Sequence, residues 1–365
     1  MNTQKKNIMI CMLFACFFLA GFLLCVCLPK ATYSDIERRK LAVMPELSTD
    51  TIASGRFMSD FETYTMDTFP FREQFRAIKA LTATRLFLRQ DNHGIYVSDG
   101  FISTIEYPLN ESSLDWAMER FRFVCQKYLT EENHVFLSVI PDKNCFLAHK
   151  SGHLAMNYAD FEEQIKQRAD FAEYITISDL LEKDDYYKTD PHWRQEKITD
   201  VAERLAQKMG TVLMQDYKIH TLDRDFYGVY YGQAALPLVP DTLQYLTGEI
   251  IDRCLVYDWQ NKKEIMIYDM EKAMGKDPYE IFLSGPLSLL TIKNPNAQEE
   301  KKLIIFRDSF GSSIAPLLIS GYSQITLVDI RYIQPDYLEQ FIDFEACDVL
   351  FLYSTLVLNH SELLK

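Results

Sequence analysis

The chain has 365 residues, of which 48% are hydrophobic and 25% charged, and a formal net charge of -14. That length buries a sizeable core, and the composition is that of a folded protein rather than a disordered one. The acidic balance argues against nucleic acid as a partner, since phosphates require a basic face. No Gly-rich phosphate loop, Cys-x-x-Cys pair or repeat period supports a nucleotide or zinc-ribbon reading.

Lys5 and Lys6 precede an uninterrupted apolar run from Ile8 to Leu28, long enough at helical rise to cross a bilayer core. A cleaved signal would have a shorter stretch and a small-x-small site, which Leu28-Pro29-Lys30 is not. The expectation is a cytoplasmic tail over 1–7 and an uncleaved signal anchor over 8–28, making a single-pass protein of the cell membrane. Arg38, Arg39 and Lys40 compete with Lys5 and Lys6 for the inner side. The tail is too short to hold a domain, so the globular part is placed outside the cytoplasm. Cys11, Cys16, Cys25 and Cys27 lie in the apolar run. Cys125, Cys145, Cys254 and Cys347 are widely spaced and read as buried free thiols rather than a disulfide framework.

Residues 29–55 read as a polar stalk. After Pro70, the spacing of Phe71, Phe75, Ile78 and Leu81 predicts an amphipathic helix with its apolar stripe on the body of the protein. Gly94 to Val97, the turn Ser98-Asp99-Gly100, and Phe101-Ile102 read as a hairpin. Leu114, Met118, Phe121 and Cys125 mark a helix, Val135 to Ile140 a buried strand ended by Pro141, and Phe161 to Phe171 a polar helix. Tyr174 to Ile177 reads as a strand, and Val201, Leu205 and Met209 line a helix stopped by Gly210. Ile304–Phe306, Ile325–Val328 and Val349–Leu352 are three more apolar, β-branched runs. The alternation predicts an α/β fold, a mostly parallel sheet covered by helices on both faces. Ser309, Arg331 and Tyr353 follow the last three runs, where such folds gather reactive residues. Residues 213–300, rich in tyrosine (among them Tyr227, Tyr230, Tyr231, Tyr245 and Tyr279), read as an insertion or lid before the strand leading to Ser309.

Two distant segments carry chemistry. One is Thr189-Asp190-Pro191-His192-Trp193, the other Arg307-Asp308-Ser309-Phe310-Gly311. A serine hydroxyl becomes a useful nucleophile when a base takes its proton. His192 can do so near neutral pH, and Asp190 can hold its tautomer and stabilise the imidazolium. Pro191 fixes a torsion between the two, and Trp193 is placed to pack against the ring. Ser309 falls between an apolar strand and a helix, whose N-terminal N–H groups suit an oxyanion, and Gly311 permits close approach of backbone to substrate. The bland readings are an isolated structural histidine and a helix cap by Asp308 or Ser309. A metal held by Asp190, His192 and Asp308 is a further alternative, without a third histidine to complete it. Arg331 is either a strand-end surface charge or an anion clamp.

These segments, together with Ser34-Asp35-Ile36-Glu37-Arg38-Arg39-Lys40-Leu41-Ala42, Asp67-Thr68-Phe69-Pro70-Phe71-Arg72, Gly94-Ile95-Tyr96 and Asp329-Ile330-Arg331-Tyr332, occur in the order of a known set of blocks. The chain resembles the DHHW family, relatives of the periplasmic alginate O-acetylation proteins in the SGNH-hydrolase-like superfamily. The resemblance covers nearly everything after the apolar run, so residues 91–365 are expected to form the SGNH-hydrolase-like domain and 29–90 the stalk and amphipathic helix. It implies a permuted layout in which Ser309 is the nucleophile, His192 the base and Asp190 its orienter. Arg331 and Tyr353 would bind substrate or the developing anion, and no metal or other cofactor is implied. It also implies acetyl transfer to a cell-surface polysaccharide, with a membrane-bound O-acyltransferase supplying the acetyl group. A carbohydrate acetyl-esterase and a non-catalytic polysaccharide-binding or assembly subunit are the alternatives. Two positions depart from the pattern: Pro191 replaces the first His of the name motif, and Arg307 stands where hydrolase relatives have Gly.

Overall fold

A computed structural model describes residues 3–214 and 216–365. The chain forms two compact units, Met1–Arg89 with Ala235–Pro237, and Gln90–Ala234 with Leu238–Lys365.

The first unit begins with α1 (Thr3–Cys27), an apolar helix of 25 residues, about 37 Å long at 1.5 Å per residue. It is long and apolar enough to cross a membrane, and none of its most apolar window is buried. A two-residue ladder pairs β1 (Tyr33–Ser34) with β2 (Arg39–Lys40), and α2 (Thr49–Ala53) is capped by Ser48, whose hydroxyl accepts from the Thr51 N–H. Then come α3 (Arg56–Asp67) and α4 (Arg72–Leu81). The 29–55 segment therefore holds short elements rather than a plain stalk. Helix α4 lies where the spacing predicts it, but its apolar stripe is not buried: Phe71, Phe75 and Ile78 are 61%, 53% and 58% exposed. The opposite face is the one held inward, by charge. Glu37 pairs with Arg72 at 2.6 Å and Arg76 at 3.1 Å, and Asp67 takes both ends of the Arg39 guanidinium at 2.8 and 2.6 Å. That pairing holds the Asp67 carboxyl down at about 2.

The second unit opens with the hairpin β3 (Ile95–Ser98) and β4 (Phe101–Thr104). Asp99 and Gly100 both take positive φ, 54° and 82°, as a tight hairpin turn demands. Helix α5 (Glu111–Tyr128) leads to β5 (His134–Ile140), then α6 (Asn144–Ser151), α7 (Tyr158–Arg168), β6 (Glu173–Tyr174) and α8 (Thr199–Lys208). The tyrosine-rich stretch holds a hairpin of β7 (Lys218–Phe226) and β8 (Asp241–Thr247) around the short α9 (Val229–Ala234). It continues through β9 (Leu255–Asp258), β10 (Lys263–Ile265), α10 (Met270–Ala273) and β11 (Leu289–Lys293). The last elements are β12 (Lys302–Arg307), α11 (Gly311–Leu318), β13 (Gln324–Val328), β14 (Cys347–Ser354) and α12 (Thr355–Leu358).

Eight strands form one sheet in the order β10-β9-β11-β13-β12-β14-β5-β6. From β13 to β6 every pairing is parallel, and β9, β10 and β11 extend one edge by antiparallel pairs. This is the mostly parallel α/β sheet that the sequence predicts. The 213–300 segment is only partly an insertion, however, because three of its strands belong to the main sheet. They were hard to read because antiparallel edge strands are short and half polar.

Side-chain alternation divides the core. Leu303, Ile305, Leu350 and Leu352 face α8 and α11, through Val201, Leu205, Ile314 and Leu317. Ile304, Phe306, Val349 and Phe351 face α5 and α7, through Leu114, Phe121, Phe161 and Ile165. Since β12 and β14 are covered on both faces, they read as continuous apolar runs, and all eight residues of β14 are buried.

Candidate active site

The carboxyl end of β12 positions the serine. Asp308 and Ser309 form the turn between β12 and α11. Both oxygens of the buried Asp308 are used: Oδ1 accepts from the Phe310 N–H at 3.0 Å, and Oδ2 from the Ser354 N–H at 2.8 Å. The first contact caps the turn and the second ties it to the end of β14. Asp308 thus takes the capping role, and Ser309 is left half-buried with its hydroxyl turned to His192.

The histidine comes from a loop closed on itself. Tyr186 bridges Trp193, the Tyr187 N–H donates to the His192 carbonyl at 3.1 Å, and the Arg194 N–H to the Asp185 carbonyl at 2.7 Å. The loop carries Asp190 and His192 to Ser309, 117 residues away in sequence. His192 Nε2 lies 2.7 Å from Ser309 Oγ, and His192 Nδ1 lies 2.5 Å from Asp190 Oδ1. With Nδ1–H donating to the carboxylate, Nε2 presents its lone pair to the hydroxyl, which is the arrangement a general base needs. The Asp190 and His192 side chains are only 1% and 12% exposed, so the hydrogen bond between them is shielded from solvent.

Asp190 is held by residues that no motif indicated. Its Oδ2 accepts from the Val229 N–H at 3.0 Å. The adjacent Thr189 hydroxyl accepts from the Gly228 N–H at 2.9 Å, and Thr189 is bonded through its own N–H to Asp241 at 2.7 Å. Gly228 packs so close that a Cβ there would lie 2.3 Å from the Asp190 Cβ. Beneath the loop, the buried Lys143 donates to the Tyr187 carbonyl at 2.8 Å, and burial pushes its ammonium down to about 7 against the pull of Asp190, Asp241 and Asp142. Gly228, Val229 and Asp241 lie in the segment read as a lid. Gly228 and Val229 act through their backbone N–H groups, which leave no pattern of side-chain types to find, and Asp241 through a carboxylate that stands in no motif.

Several expectations change here. Tyr279, not Trp193, stacks on the imidazole, with ring centroids 3.8 Å apart and planes at 9°. Trp193 points the other way and is fully buried, its Nε1–H donating to Ser313 Oγ at 2.8 Å and the Phe310 carbonyl at 3.2 Å. The N-terminus of α11 is not an open set of donors: the N–H groups of Phe310, Gly311 and Ser312 all go to Asp308 or Ser309. Among the described residues, the Ser309 N–H is the donor of this turn that takes no acceptor. Gly311 is required for a close approach, but by the Arg307 stem, since a Cβ at Gly311 would lie 2.6 Å from the Arg307 Cβ.

Arg331 is neither a free surface charge nor an open clamp. It pairs with Asp329 through Nε at 2.9 Å and Nη2 at 2.7 Å, and is 15% exposed. Asp329 is fully buried and also lies 3.8 Å from the Arg307 guanidinium, which donates to the Asp308 and Leu287 carbonyls. Arg307 therefore lies under the turn as structural support, with its Nε unpartnered. Tyr353 lies within β14 rather than beyond it. It is 1% exposed, stacked on Phe121 at 5.0 Å, with its hydroxyl unpartnered. From that place it cannot touch a substrate unless the core repacks. No group of three metal-ligating side chains is gathered among the described residues, and both His192 nitrogens are engaged within the chain. No disulfide forms among these residues; Cys347 is buried and Cys125, Cys145 and Cys254 half-buried, and burial pushes the thiols of the last three up to about 12.

No family model matches the sequence, and no curated protein does. Solved structures do share its fold. A DHHW family protein from Eubacterium siraeum is 20% identical, with a TM-score of 0.58 over 73% of this chain and 93% of that one. PatB1 of Bacillus cereus is 16% identical, with a TM-score of 0.58 over 73% of this chain and 97% of that one. A second PatB1 structure, carrying a sulfonyl adduct, gives 0.59 over 72% and 95%. The chain therefore has the fold of a solved DHHW family protein, the relationship that the motif blocks imply.

Proposed function

We propose that the chain is a serine-dependent O-acetyltransferase of the cell envelope, acting on a surface polysaccharide. The observation that carries this reading is the continuous hydrogen-bond chain from Ser309 Oγ through His192 to Asp190. In the proposed reaction Ser309 Oγ attacks the acetyl carbonyl of a donor ester while its proton passes to His192 Nε2. Asp190 stabilises the imidazolium, and the Ser309 N–H faces the oxyanion of the tetrahedral intermediate. Collapse expels the donor alcohol, which takes the proton from Nε2, and leaves acetyl-Ser309. A sugar hydroxyl then gives its proton to Nε2 and attacks the acetyl carbon, releasing Ser309 and the O-acetylated glycan.

In this reading residues 8–28 are an uncleaved anchor, 29–90 join it to the site-bearing domain over 91–365, and that domain lies outside the cytoplasm. A membrane-bound O-acyltransferase is the proposed source of acetyl groups. The same triad with water as acceptor would be an acetyl-esterase. The reading of a reactive nucleophile is supported by the sulfonyl adduct that PatB1, a fold neighbour, carries.

The test is intact-mass spectrometry of the detergent-solubilised full chain after p-nitrophenyl acetate or phenylmethylsulfonyl fluoride. One acyl or sulfonyl group on the wild type is expected, and none on Ser309→Ala or His192→Ala. A folded wild type that takes no adduct would favour the non-catalytic polysaccharide-binding role. Partition of the acetyl group between water and added polysaccharide separates esterase from transferase.

A further inference from the structure

Exposed apolar side chains crowd the first unit beyond α1. Phe71, Phe75 and Ile78 line one edge of α4, and Leu86, Phe87 and Leu88 follow it at 71%, 69% and 78% exposed. Three consecutive large apolar residues at that exposure are costly in water unless something covers them. A cavity of about 1000 Å³ opens within the same unit between the last turns of α1, at Phe22 and Val26, and α3 and α4, at Phe61 and Phe75. Lys30, Arg72, Arg76 and Lys79 line it as well. Lys30, two residues beyond the apolar run, donates to the Tyr64 hydroxyl and lies 4.5 Å from the centre of that ring. Residues 29–89 carry ten Lys and Arg against eight Asp and Glu, in a chain whose net charge is -14.

We infer that α4 and Leu86–Leu88 lie in the membrane surface, and that the cavity beside α1 seats a phospholipid. Three observations select lipid as the occupant. The cavity is continuous with a helix fit to span the bilayer. Its lining is mostly apolar, with Lys30 and Lys79 among the lining residues, matching an acyl chain beside a phosphate. The net positive charge of the segment suits an anionic surface, which would repel the rest of the chain. The inference rests on α1 remaining as an anchor, and it is independent of the acyl-transfer chemistry.

The experiment places a photoactivatable benzoylphenylalanine at Phe75, Ile78 or Phe87 of the full chain, reconstituted in vesicles of phosphatidylcholine with phosphatidylglycerol. Phe17 in α1 is the insertion control and the exposed Tyr337 the soluble control. Phospholipid adducts at Phe75, Ile78 and Phe87 should exceed those at Tyr337 by on the order of tenfold, as for side chains buried in the headgroup boundary. Lipid adducts at Phe17 alone would overturn the inference, as would crosslinks at Phe75 and Phe87 to another protein chain. No adduct at Phe17 would overturn it too, by removing the anchor on which it rests.

Discussion

Gly228→Ala adds one methyl group far in sequence from every motif, and it should disable the site. The Cβ would lie 2.3 Å from the Asp190 Cβ, 2.4 Å from the Thr189 carbonyl and 2.5 Å from the Asp190 Cα. Ordinary contact needs about 3.5 Å, so Asp190 or the 228–231 turn must move by about 1 Å. Either movement breaks a short contact: the Asp190 Oδ2 bond to the Val229 N–H, or the 2.5 Å bond from His192 Nδ1. A displacement of this size costs roughly 100-fold in rate when it misplaces a reacting group, and the overpacking costs about 1–3 kcal/mol of stability. The assay compares the rate of Ser309 modification by phenylmethylsulfonyl fluoride, followed by mass, with the urea midpoint of the same samples. A second readout is the downfield proton resonance of His192 Nδ1–H, which should shift or vanish. A folded Gly228→Ala chain with the wild-type modification rate and an unshifted resonance would refute the view that this turn holds Asp190 in place.

Tyr279 offers a separation of packing from hydrogen bonding: its ring stacks on His192 and its hydroxyl lies 3.0 Å from Ser313 Oγ. Tyr279→Phe should cost about 1 kcal/mol and leave modification of Ser309 nearly unchanged. Tyr279→Ala should cost about 3–5 kcal/mol and slow it sharply, as read by urea midpoints and adduct rates. Lys143 sets a slope of stability with pH. Its folded value of about 7 lies below that of the unfolded chain, so between the two the unfolded state holds the extra proton and stability rises with pH. Between pH 7 and pH 9 the wild type should gain roughly 2 kcal/mol relative to Lys143→Met, measured by urea unfolding at both pH values.

The central strands were legible because their burial on both faces leaves unbroken apolar runs, as in β12 and β14. The pairing of Ser309 with His192 was legible because a general base and a nucleophile need particular side chains. What surrounds them was not. Gly228 and Val229 act through backbone contacts, and Asp241 looks like any surface acid until Thr189 is found beside it. Arg307 stood out only as a departure from the family pattern, because sequence shows the residue and not its direction; its stem runs under Gly311 to a buried carboxylate. The outward stripe of α4 defeated the rule that apolar faces turn inward, because Glu37 and Asp67 hold the charged face instead.

Strand order has a consequence for when the site comes into being. The strand that bears the serine turn meets β5 only through β14, which follows all the sheet's other described strands in the chain. Asp308, which fixes that turn, takes one of its two bonds from Ser354, the last residue of β14. Until β14 docks, the sheet has a gap at its centre and the turn lacks half its support. Loop closure over such separations is slow. A chain that stops short of β14 therefore carries Ser309 on a turn that lacks the Ser354 contact and has no strand to join it to β5.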